Sequence, residues 1–334
     1  MRQGDAGVKF IARALFVAVM VGLALVRPLH AAGAKPVELV ELGRSFGLTA
    51  TWLDPEEELQ LKSKWTTLEF EAGSREMAWN GRRLFLGEPI RTMGRSLGIS
   101  PVDLRTRVIP LLNSAAVPAP GELRLIAIDA GHGGNDTGAS NQALKLQEKK
   151  VTLDVARRLR TSLLARGYQV VMTRANDRYV SLDDRPLLAN KAGADLFISI
   201  HFNSLPGNTK VGGVETYVFT PAGVRSTASH QRDAGDQKVY AGNAQDHWNM
   251  VLASSIQDRL LDQLGVVDRG LKTARFAVLR TIRCPAVLVE AGFLTHPTEA
   301  RNINTPAHRQ RIAEAIADGV GDYAGRLRLA QPKG

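Results

Sequence analysis

The stretch "IAIDAGHGGNDTGAS" (Ile126–Ser140) decides the fold, because it joins an apolar strand to a glycine-rich loop that carries one histidine. This loop is not a phosphate cradle of the P-loop kind, since no Gly-Lys-Ser/Thr follows Gly131. It is not a dinucleotide-binding loop either, since Asp136 stands where G-x-G-x-x-G needs its third glycine. His132 is therefore the loop residue that needs a chemical explanation.

Strand and helix patterns alternate from this stretch towards the C-terminus. The helical pattern at 149–166 repeats an apolar residue at every fourth position and ends before Gly167. The predicted strands are 123–129, 168–173, 196–201, 213–219 and 286–290, and the predicted helices are 149–166, 181–192, 248–264 and 306–326. This alternation predicts an α/β fold, a largely parallel sheet flanked by helices.

Four polar residues lie where such a sheet would place a ligand site. Ligand sites collect at the carboxyl ends of parallel strands, and His132, His201 and Glu290 each follow or close a predicted strand. Glu148 lies just before the first long helix, where the helix dipole favours a carboxylate. Two imidazoles and one carboxylate form the open ligand set of hydrolytic zinc enzymes, and Glu290 would then be the general base. The separations of 16 and 53 residues form no local zinc motif, so spacing alone leaves the metal site open.

Four segments carry a resemblance to a known family. They are "IAIDAGHGGNDTGA", "QEKKVTLDVARRLRTSLLARGYQVVMTR", "SLDDRPLLANKAGADLFISIHFNS" and "CPAVLVEAGFLTHPTEA", in that order. Together they resemble the zinc-dependent N-acetylmuramoyl-L-alanine amidases of the Amidase_3 type. By position, the resemblance puts the family's metal ligands on His132, Glu148 and His201, and its catalytic glutamate on Glu290.

The resemblance implies a zinc amidase catalytic domain at 123–326, with one Zn²⁺ per domain. The implied reaction is hydrolysis of the amide between N-acetylmuramic acid and L-alanine in peptidoglycan, in cell-wall remodelling or daughter-cell separation. One departure is His296, where the family commonly has asparagine, and it concerns substrate contacts more than chemistry. Two alternatives stay open: a catalytically silent wall-binding or regulatory protein on the same fold, and a zinc hydrolase of a different amide. Peptidoglycan is the expected partner, and an activator protein is a further candidate.

The composition predicts a globular protein with a basic surface. Of 334 residues, 44% are hydrophobic and 23% charged, which is enough to bury a full core. The formal net charge is +10, and +7 remains without the first 34 residues, which hold four basic residues and one acidic residue. This surplus predicts attraction to anionic envelope polymers, whereas 6% aromatic residues and no recognisable binding module argue against nucleic acid. The single cysteine, Cys284, excludes an internal disulfide and is predicted to be a core thiol.

Residues 1–34 have the pattern of a secretory signal peptide. Three basic residues precede a charge-free run at 14–26, and small residues follow at 31–34. The run is shorter than the roughly 20 residues that a bilayer span needs, so we predict cleavage and no stable membrane span after processing. The protein is therefore predicted to be exported, and to be periplasmic or associated with the cell wall.

Residues 36–114 are predicted to form a small α+β accessory domain, joined to the catalytic domain by a linker at 115–122. With "AWNGRRLFLGEPI" as its middle hairpin, this region resembles the copper amine oxidase N-terminal-like domain, a wall-associated module that binds no copper. The strings "GRSFG" (Gly43–Gly47) and "GRSLG" (Gly94–Gly98) look like one unit used twice. Both match G-x-S-x-G, but a nucleophile elbow needs a strand before the serine, and each serine lies near the end of a helix-like pattern.

Two further hypotheses concern segments near the predicted site. The polar segment 221–249 is long for a structureless loop, and we expect it to border the cleft and to gate or orient the glycan. The alternative is a surface insertion. Asp129, which ends the first predicted strand, is expected either to support a metal-binding histidine or to bond loop amides.

Overall fold

The computed structural model describes residues 35–331, and the predicted signal peptide lies outside them. Strands and helices are numbered in chain order. The large sheet contains, in spatial order, β12 (Gln169–Met172), β9 (Leu125–Ala130), β13 (Leu196–Asn203), β16 (Ala286–Phe293), β14 (Val214–Phe219), β15 (Asp268–Ala274), β6 (Arg82–Phe85), β5 (Glu76–Trp79), β4 (Thr67–Glu71), β3 (Glu58–Lys62) and β2 (Thr49–Asp54). A second sheet contains β1 (Val37–Glu38), β8 (Ser96–Ile99) and β7 (Arg91–Met93), and β10 (Ser140–Asn141) pairs with β11 (Leu146–Gln147).

The helices lie between and beside these strands. They are α1 (Leu39–Ser45), α2 (Pro101–Asp103), α3 (Ile109–Leu112), α4 (Glu148–Ala165), α5 (Asp184–Ala192), α6 (Asp246–Leu264), α7 (Ala277–Arg280), α8 (Pro297–Ile303) and α9 (Pro306–Ala330). Helix α9 packs along α4 and α6, and α4 and α6 contact the sheet. None of the helices in residues 35–331 is both long enough and apolar enough to cross a membrane.

The predicted α/β class is confirmed, and its reason is visible in the strands. Strands β12, β9, β13 and β16 pair in parallel, and helices cover them, so most side chains of β9, β13 and β16 are buried, whereas those of the edge strand β12 are exposed or half-buried. On α4 the apolar stripe that includes Val155 and Leu159 is fully buried. Each such side chain contributes about 1.5–3 kcal/mol to folding by leaving water.

The direction of β14 determines where the segment 221–249 lies. Strand β14 runs antiparallel to β16, so it ends at the edge of the sheet opposite to the carboxyl ends of β13 and β16. The segment that follows stays at that opposite edge: the Asn249 side chain accepts a hydrogen bond from the Ala286 amide, where β16 begins. The hypothesis that this segment borders the cleft is therefore wrong. The apolar pattern of a strand does not reveal its direction.

The predicted accessory domain and the predicted catalytic domain share the large sheet. Strands β2 to β6 form an antiparallel meander, and β6 continues the sheet through a parallel pairing of Leu84 with Leu271 on β15. Arg75 donates hydrogen bonds from this meander to the carbonyls of Ser226 and Ser229. Within the predicted linker, the Pro118 carbonyl accepts a hydrogen bond from the Trp248 indole at 2.9 Å. The domain boundaries stay predictions.

The expectation of one unit used twice is wrong. "GRSFG" ends helix α1 as predicted, but Gly94 makes a turn between β7 and β8, and Ser96 begins β8. The two strings share their glycine spacing, but their tertiary partners differ, because β8 pairs with both β1 and β7. Ser45 donates to the Leu42 carbonyl, and Ser96 is buried. Neither serine lies on a strand-to-helix turn, so neither is a nucleophile elbow.

Candidate active site

The loop after β9 holds His132 in a left-handed conformation, with φ at 62°. This conformation costs a non-glycine residue about 1–3 kcal/mol and persists where the surroundings impose it. Two buried arginines impose it here: Arg174 donates to the Gly131 carbonyl at 2.7 Å, and Arg185 donates to the His132 carbonyl at 3.0 Å. A Cβ atom on Gly131 would lie 2.4 Å from the His201 ring. Because glycine has no Cβ atom, the loop backbone can lie directly against this ring.

The loop, helix α4 and strand β13 bring His132, Glu148 and His201 together. One potential ligand atom from each lies within 4.8 Å of the other two. Glu148 Oε1 lies 3.0 Å from His132 Nε2 and 3.0 Å from His201 Nδ1. Two imidazole nitrogens and one carboxylate oxygen match the donor set of a catalytic zinc site, which leaves a fourth position for water. The residues present therefore fit a zinc ion.

Glu148 is held by both histidines and by the backbone. Its carboxylate accepts hydrogen bonds from the amides of Ala139 at 2.8 Å and Phe202 at 3.1 Å. Although burial opposes ionisation, the hydrogen bonds from His132 and His201 hold the pKa of Glu148 well below its usual value. The site therefore presents an ionised carboxylate to the two imidazoles.

Asp136 is the carboxylate that supports a predicted ligand. Its Oδ2 lies 2.8 Å from His132 Nδ1, so the carboxylate orients the ring and leaves Nε2 to face Glu148. Asp129 instead accepts hydrogen bonds from Thr173, Arg185 and Ser199, at 2.6 to 2.8 Å. Both expected roles of Asp129, the support of a metal-binding histidine and the bonding of loop amides, are therefore wrong, because two hydroxyl groups and one guanidinium occupy its buried carboxylate.

Glu290 lies next to the three-residue cluster in the sheet. It pairs with His201 on one neighbouring strand and with Glu215 on the other, so the three side chains share one face. Its Oε2 is buried and has no hydrogen-bond partner among residues 35–331. Burial, together with the charges of Glu148 and Glu215, raises the pKa of Glu290 well above its usual value. This carboxyl group can hold a proton that an ordinary surface carboxyl would lose.

Glu215 is the second carboxylate on this face, and it is paired. It forms an ion pair with Lys272, accepts a hydrogen bond from the Asn203 amide at 2.5 Å, and lies 3.4 Å from Arg269 Nε. Asn203 is two residues after His201 on β13, so it lies on the same face as that histidine. Through its bond with Asn203, Glu215 on β14 contacts β13, the strand of His201, across β16, the strand of Glu290.

A family model described as N-acetylmuramoyl-L-alanine amidase, Amidase_3, matches residues 126–322, more than half of the chain. The chain belongs to this amidase family. The matched region contains all four predicted site residues, His132, Glu148, His201 and Glu290.

Individual relatives of this amidase-family chain cover different shares of it. It is 35% identical over 243 residues to the amidase LytC of Bacillus subtilis. That alignment covers 73% of this chain and 43% of LytC. It is 34% identical over 250 residues to the amidase AmiA of Escherichia coli. That alignment covers 68% of this chain and 86% of AmiA. A crystal structure of an amidase from Clostridium difficile 630 superposes with a TM-score of 0.50 at 32% identity, covering 61% of this chain and 97% of that one. The chain thus spans less than half of LytC and most of AmiA.

His296, which stands where the amidase family commonly has asparagine, has a local structural role in this chain. His296 Nδ1 accepts a hydrogen bond from the Glu299 amide at 3.3 Å and so caps helix α8. The Glu299 carboxylate in turn accepts hydrogen bonds from the amides of Phe293 at 2.7 Å and Gly213 at 2.6 Å. The cap therefore helps to fix the ends of β16 and β14 beside the site.

Several residues of the site were not found from the sequence. Asp136 stands four residues after His132, and this spacing is the one sequence signal for its contact with that histidine. Arg174, Arg185 and Glu215 carried no such signal, because they reach the site from distant elements. Cys284 is a buried core thiol as predicted, and burial raises its pKa to about 12.

Proposed function

We propose that this protein hydrolyses the amide between N-acetylmuramic acid and L-alanine in peptidoglycan with the help of one zinc ion. The observation that carries the proposal is the position of Glu290, whose buried carboxyl lies one strand away from the cluster of His132, Glu148 and His201. Such a pairing of a three-ligand site with a separate carboxyl group is the arrangement of zinc hydrolases. Family membership supports the substrate class.

The three ligands would each have a defined part. His132 Nε2, Glu148 and His201 Nδ1 would hold the zinc ion, and Asp136 would keep the His132 ring in the tautomer that presents Nε2. When bound, zinc would polarise the scissile carbonyl and lower the pKa of a water molecule towards neutrality. Arg174 and Arg185 keep the loop in the conformation that this requires.

Glu290 would be the general base. Its carboxylate would accept the proton of the attacking water and return that proton to the leaving amine nitrogen. The raised pKa of Glu290 suits this exchange, because a group that both takes and releases a proton works best near the operating pH. Its Oε2 forms no hydrogen bond within the described chain, so no other described group competes for that oxygen.

The test is the digestion of purified peptidoglycan sacculi by residues 35–334, with analysis of the released fragments by mass spectrometry. We expect free stem peptides that begin at L-alanine. Release should stop with a chelator, return with added zinc, and fall at least about a thousandfold in Glu290→Gln, in line with the loss of a catalytic acid–base group. Glu314→Gln, an exposed change on α9, is the matched control and should leave release unchanged.

Each alternative has its own outcome in this assay. Zinc binding without any release would favour the catalytically silent wall-binding or regulatory protein. Release of fragments with a different new amino terminus would favour a zinc hydrolase of another amide. Release that persists in Glu290→Gln at the wild-type rate would remove Glu290 from the mechanism.

We further propose that residues 1–34 direct export, so that the enzyme acts in the periplasm or at the cell wall. The proposed site is compatible with this location, because peptidoglycan lies outside the cytoplasmic membrane. Residues 36–114 would form the wall-associated accessory module, and an activator protein stays a proposed partner. Mass spectrometry of the exported protein should find a new amino terminus after Ala32 or Ala34. An intact amino terminus would contradict the proposed cleavage of a signal peptide.

A further inference from the structure

Two bulges in the sheet place Arg269 and Phe293 beside Glu215 and Glu290. Between Val214 and Thr216 on β14, the neighbouring strand β15 advances by three residues instead of two, and Arg269 and Gly270 are inside this bulge. Gly270 adopts φ at 90°, a conformation that favours glycine. A second register shift, between β13 and β16, brings Phe293 opposite Asn203. Bulges next to active sites commonly redirect a side chain.

The Arg269 side chain is held in one place by its neighbours. Its guanidinium lies over the Phe293 ring, 5.0 Å from the ring centroid. Its Cγ lies 3.0 Å from where a Cβ atom on Gly213 would be, so glycine makes room for the aliphatic part of the side chain. Its Nε is 3.4 Å from Glu215 Oε2. The guanidinium is therefore oriented before any ligand arrives.

Arg269 is more accessible to a ligand than its neighbour Lys272. Lys272 is 12% exposed and forms the close ion pair with Glu215. The Arg269 side chain is 29% exposed, and neither of its Nη atoms has a hydrogen-bond partner within the part of the chain that the structure describes. The aromatic ring beneath it and the two Nη groups form a small cationic surface beside the proposed catalytic centre.

The chemistry of the substrate decides what this surface would bind. A guanidinium prefers a carboxylate, which it binds through two parallel hydrogen bonds. In the proposed substrate the carboxyl of the muramoyl lactyl group is used in the scissile amide, so the remaining carboxylates are on the peptide. Strand β15 lies two strands from Glu290, about 10 Å, and an extended peptide advances about 3.3–3.6 Å per residue. A carboxylate within the first three residues of the peptide could therefore reach Arg269.

We propose that Arg269 binds a carboxylate of the peptide half of the substrate, so that the enzyme prefers an acidic stem peptide to its amidated counterpart. This inference rests on the proposed function, because the direction of the peptide is defined by the amide at Glu290. Arg269 would be a specificity-determining residue, and Phe293 and Gly213 would position it.

The test uses two synthetic muramoyl tripeptides that differ at the second peptide residue, which carries either a free carboxylate or a carboxamide. Calorimetry measures their binding to zinc-loaded protein in the Glu290→Gln background, where neither ligand is consumed. With Arg269 present, we expect the acidic ligand to bind about tenfold more tightly, as a charged hydrogen-bonded pair at a partly exposed site allows. In Arg269→Gln the two ligands should bind equally, and in Arg269→Lys the preference should fall to about threefold.

Arg83→Gln is the matched control. Arg83 lies on the adjacent strand β6 and also lies over a phenylalanine ring, 5.5 Å from the Phe85 centroid, but it is paired with Glu76. This variant should keep the tenfold preference. If Arg269→Gln does not fold, as judged by its thermal unfolding, the preference measured in Arg269→Lys decides.

The outcomes separate this inference from the proposed function. A tenfold preference that survives in Arg269→Gln, or equal weakening of both ligands, overturns the role of Arg269. A preference that depends on Arg269, combined with no cleavage of either ligand by the wild-type enzyme, supports the carboxylate site and contradicts the proposed hydrolysis. A wild-type protein without any preference also overturns the inference.

Discussion

Glu215 lies directly opposite Glu290 on the neighbouring antiparallel strand, and the two carboxyl groups share one face of the sheet. The two carboxyl groups differ in their ion-pair and hydrogen-bond partners. Glu215 is paired with Lys272 and Asn203, whereas Glu290 Oε2 is buried with no partner in the described residues. The same residue type is thus ion-paired on one strand and left without a partner for one oxygen on the next.

This relationship predicts that Glu215 positions Glu290. In Glu215→Gln, Lys272 loses its ion-pair partner, while Glu290, on which the Lys272 charge already acts, keeps its carboxyl on the same face. We expect Lys272 to pair with Glu290, so that kcat falls about ten- to a hundredfold while KM changes less than about twofold, as for a general base lost in part. Steady-state kinetics on a soluble muramoyl peptide measure both values. An equal effect in the exposed variant Glu76→Gln would contradict the role.

The carboxylate behind His132 should control metal affinity. Asp136→Asn keeps the size of the side chain but removes the charge that fixes the His132 tautomer. We expect zinc affinity to fall about ten- to a hundredfold, the usual effect of losing such a partner. Competition with a chromophoric chelator measures it. Asp177→Asn is the control, because Asp177 accepts a hydrogen bond from the Gly134 amide in the same loop without touching a ligand.

The close approach of the loop to His201 predicts a second effect on metal binding. In Gly131→Ala the added methyl group would overlap the His201 ring, so the ring or the loop must move. Zinc affinity should fall at least about tenfold, since a metal site tolerates displacements of about 0.5 Å. Gly321→Ala on α9 has open space, with its nearest atom at 3.9 Å, and should stabilise the helix by about 0.5–1 kcal/mol. Similar zinc affinities in both variants would contradict the prediction.

The buried pair of Asp129 and Arg185 should dominate the stability of the loop. The two side chains are 2.8 Å apart and almost fully buried, so Arg185→Leu leaves an unpaired buried carboxylate. We expect the free energy of unfolding to fall by about 3–5 kcal/mol. Arg166→Leu removes a half-exposed pair with Asp318 and should cost less than about 1 kcal/mol. Denaturant titrations compare the two, and equal losses would contradict the ranking.

His247 predicts a loss of stability in acid. Burial lowers its pKa to about 4, and its Nε2 lies 3.3 Å from the Ser114 carbonyl at the start of the predicted linker. In the unfolded chain a histidine takes up its proton near pH 6.5, so stability is lost as the pH falls from about 6.5 towards 4. Relative to His247→Gln, the wild type should lose about 2–3 kcal/mol between pH 7 and pH 4.5.

Urea titrations at both pH values measure this difference. The comparison with a variant is needed because burial raises the pKa of the neighbouring Asp246 to about 7, which changes stability with the opposite sign. That contribution is common to the wild type and His247→Gln. The exposed variant His230→Gln should follow the wild type. A constant difference between the wild type and His247→Gln across this range would exclude His247 as the cause.

The strands of the catalytic half could be predicted because their chemistry is local. Strands β9, β13 and β16 are apolar runs bounded by polar residues, and buried parallel strands need such runs. Strand β15 was missed, because its sequence "DRGLKTA" has three charged residues and a glycine within a bulge. It is a strand because β14 and β6 pair with both of its edges, and that pairing is tertiary.

By itself, the sequence determined the α/β class, because apolar periodicity acts over a few residues, and it predicted the four site residues from the polar ends of the strands. The tertiary structure decided the direction of β14, the continuation of the sheet into residues 49–85 and the environment of each acid. It assigned Asp136 to His132, Asp129 to Arg185 and Glu215 to the face of Glu290. The physical reason is that charge, burial and hydrogen bonding act through space, between residues that the chain separates by up to about 75 positions.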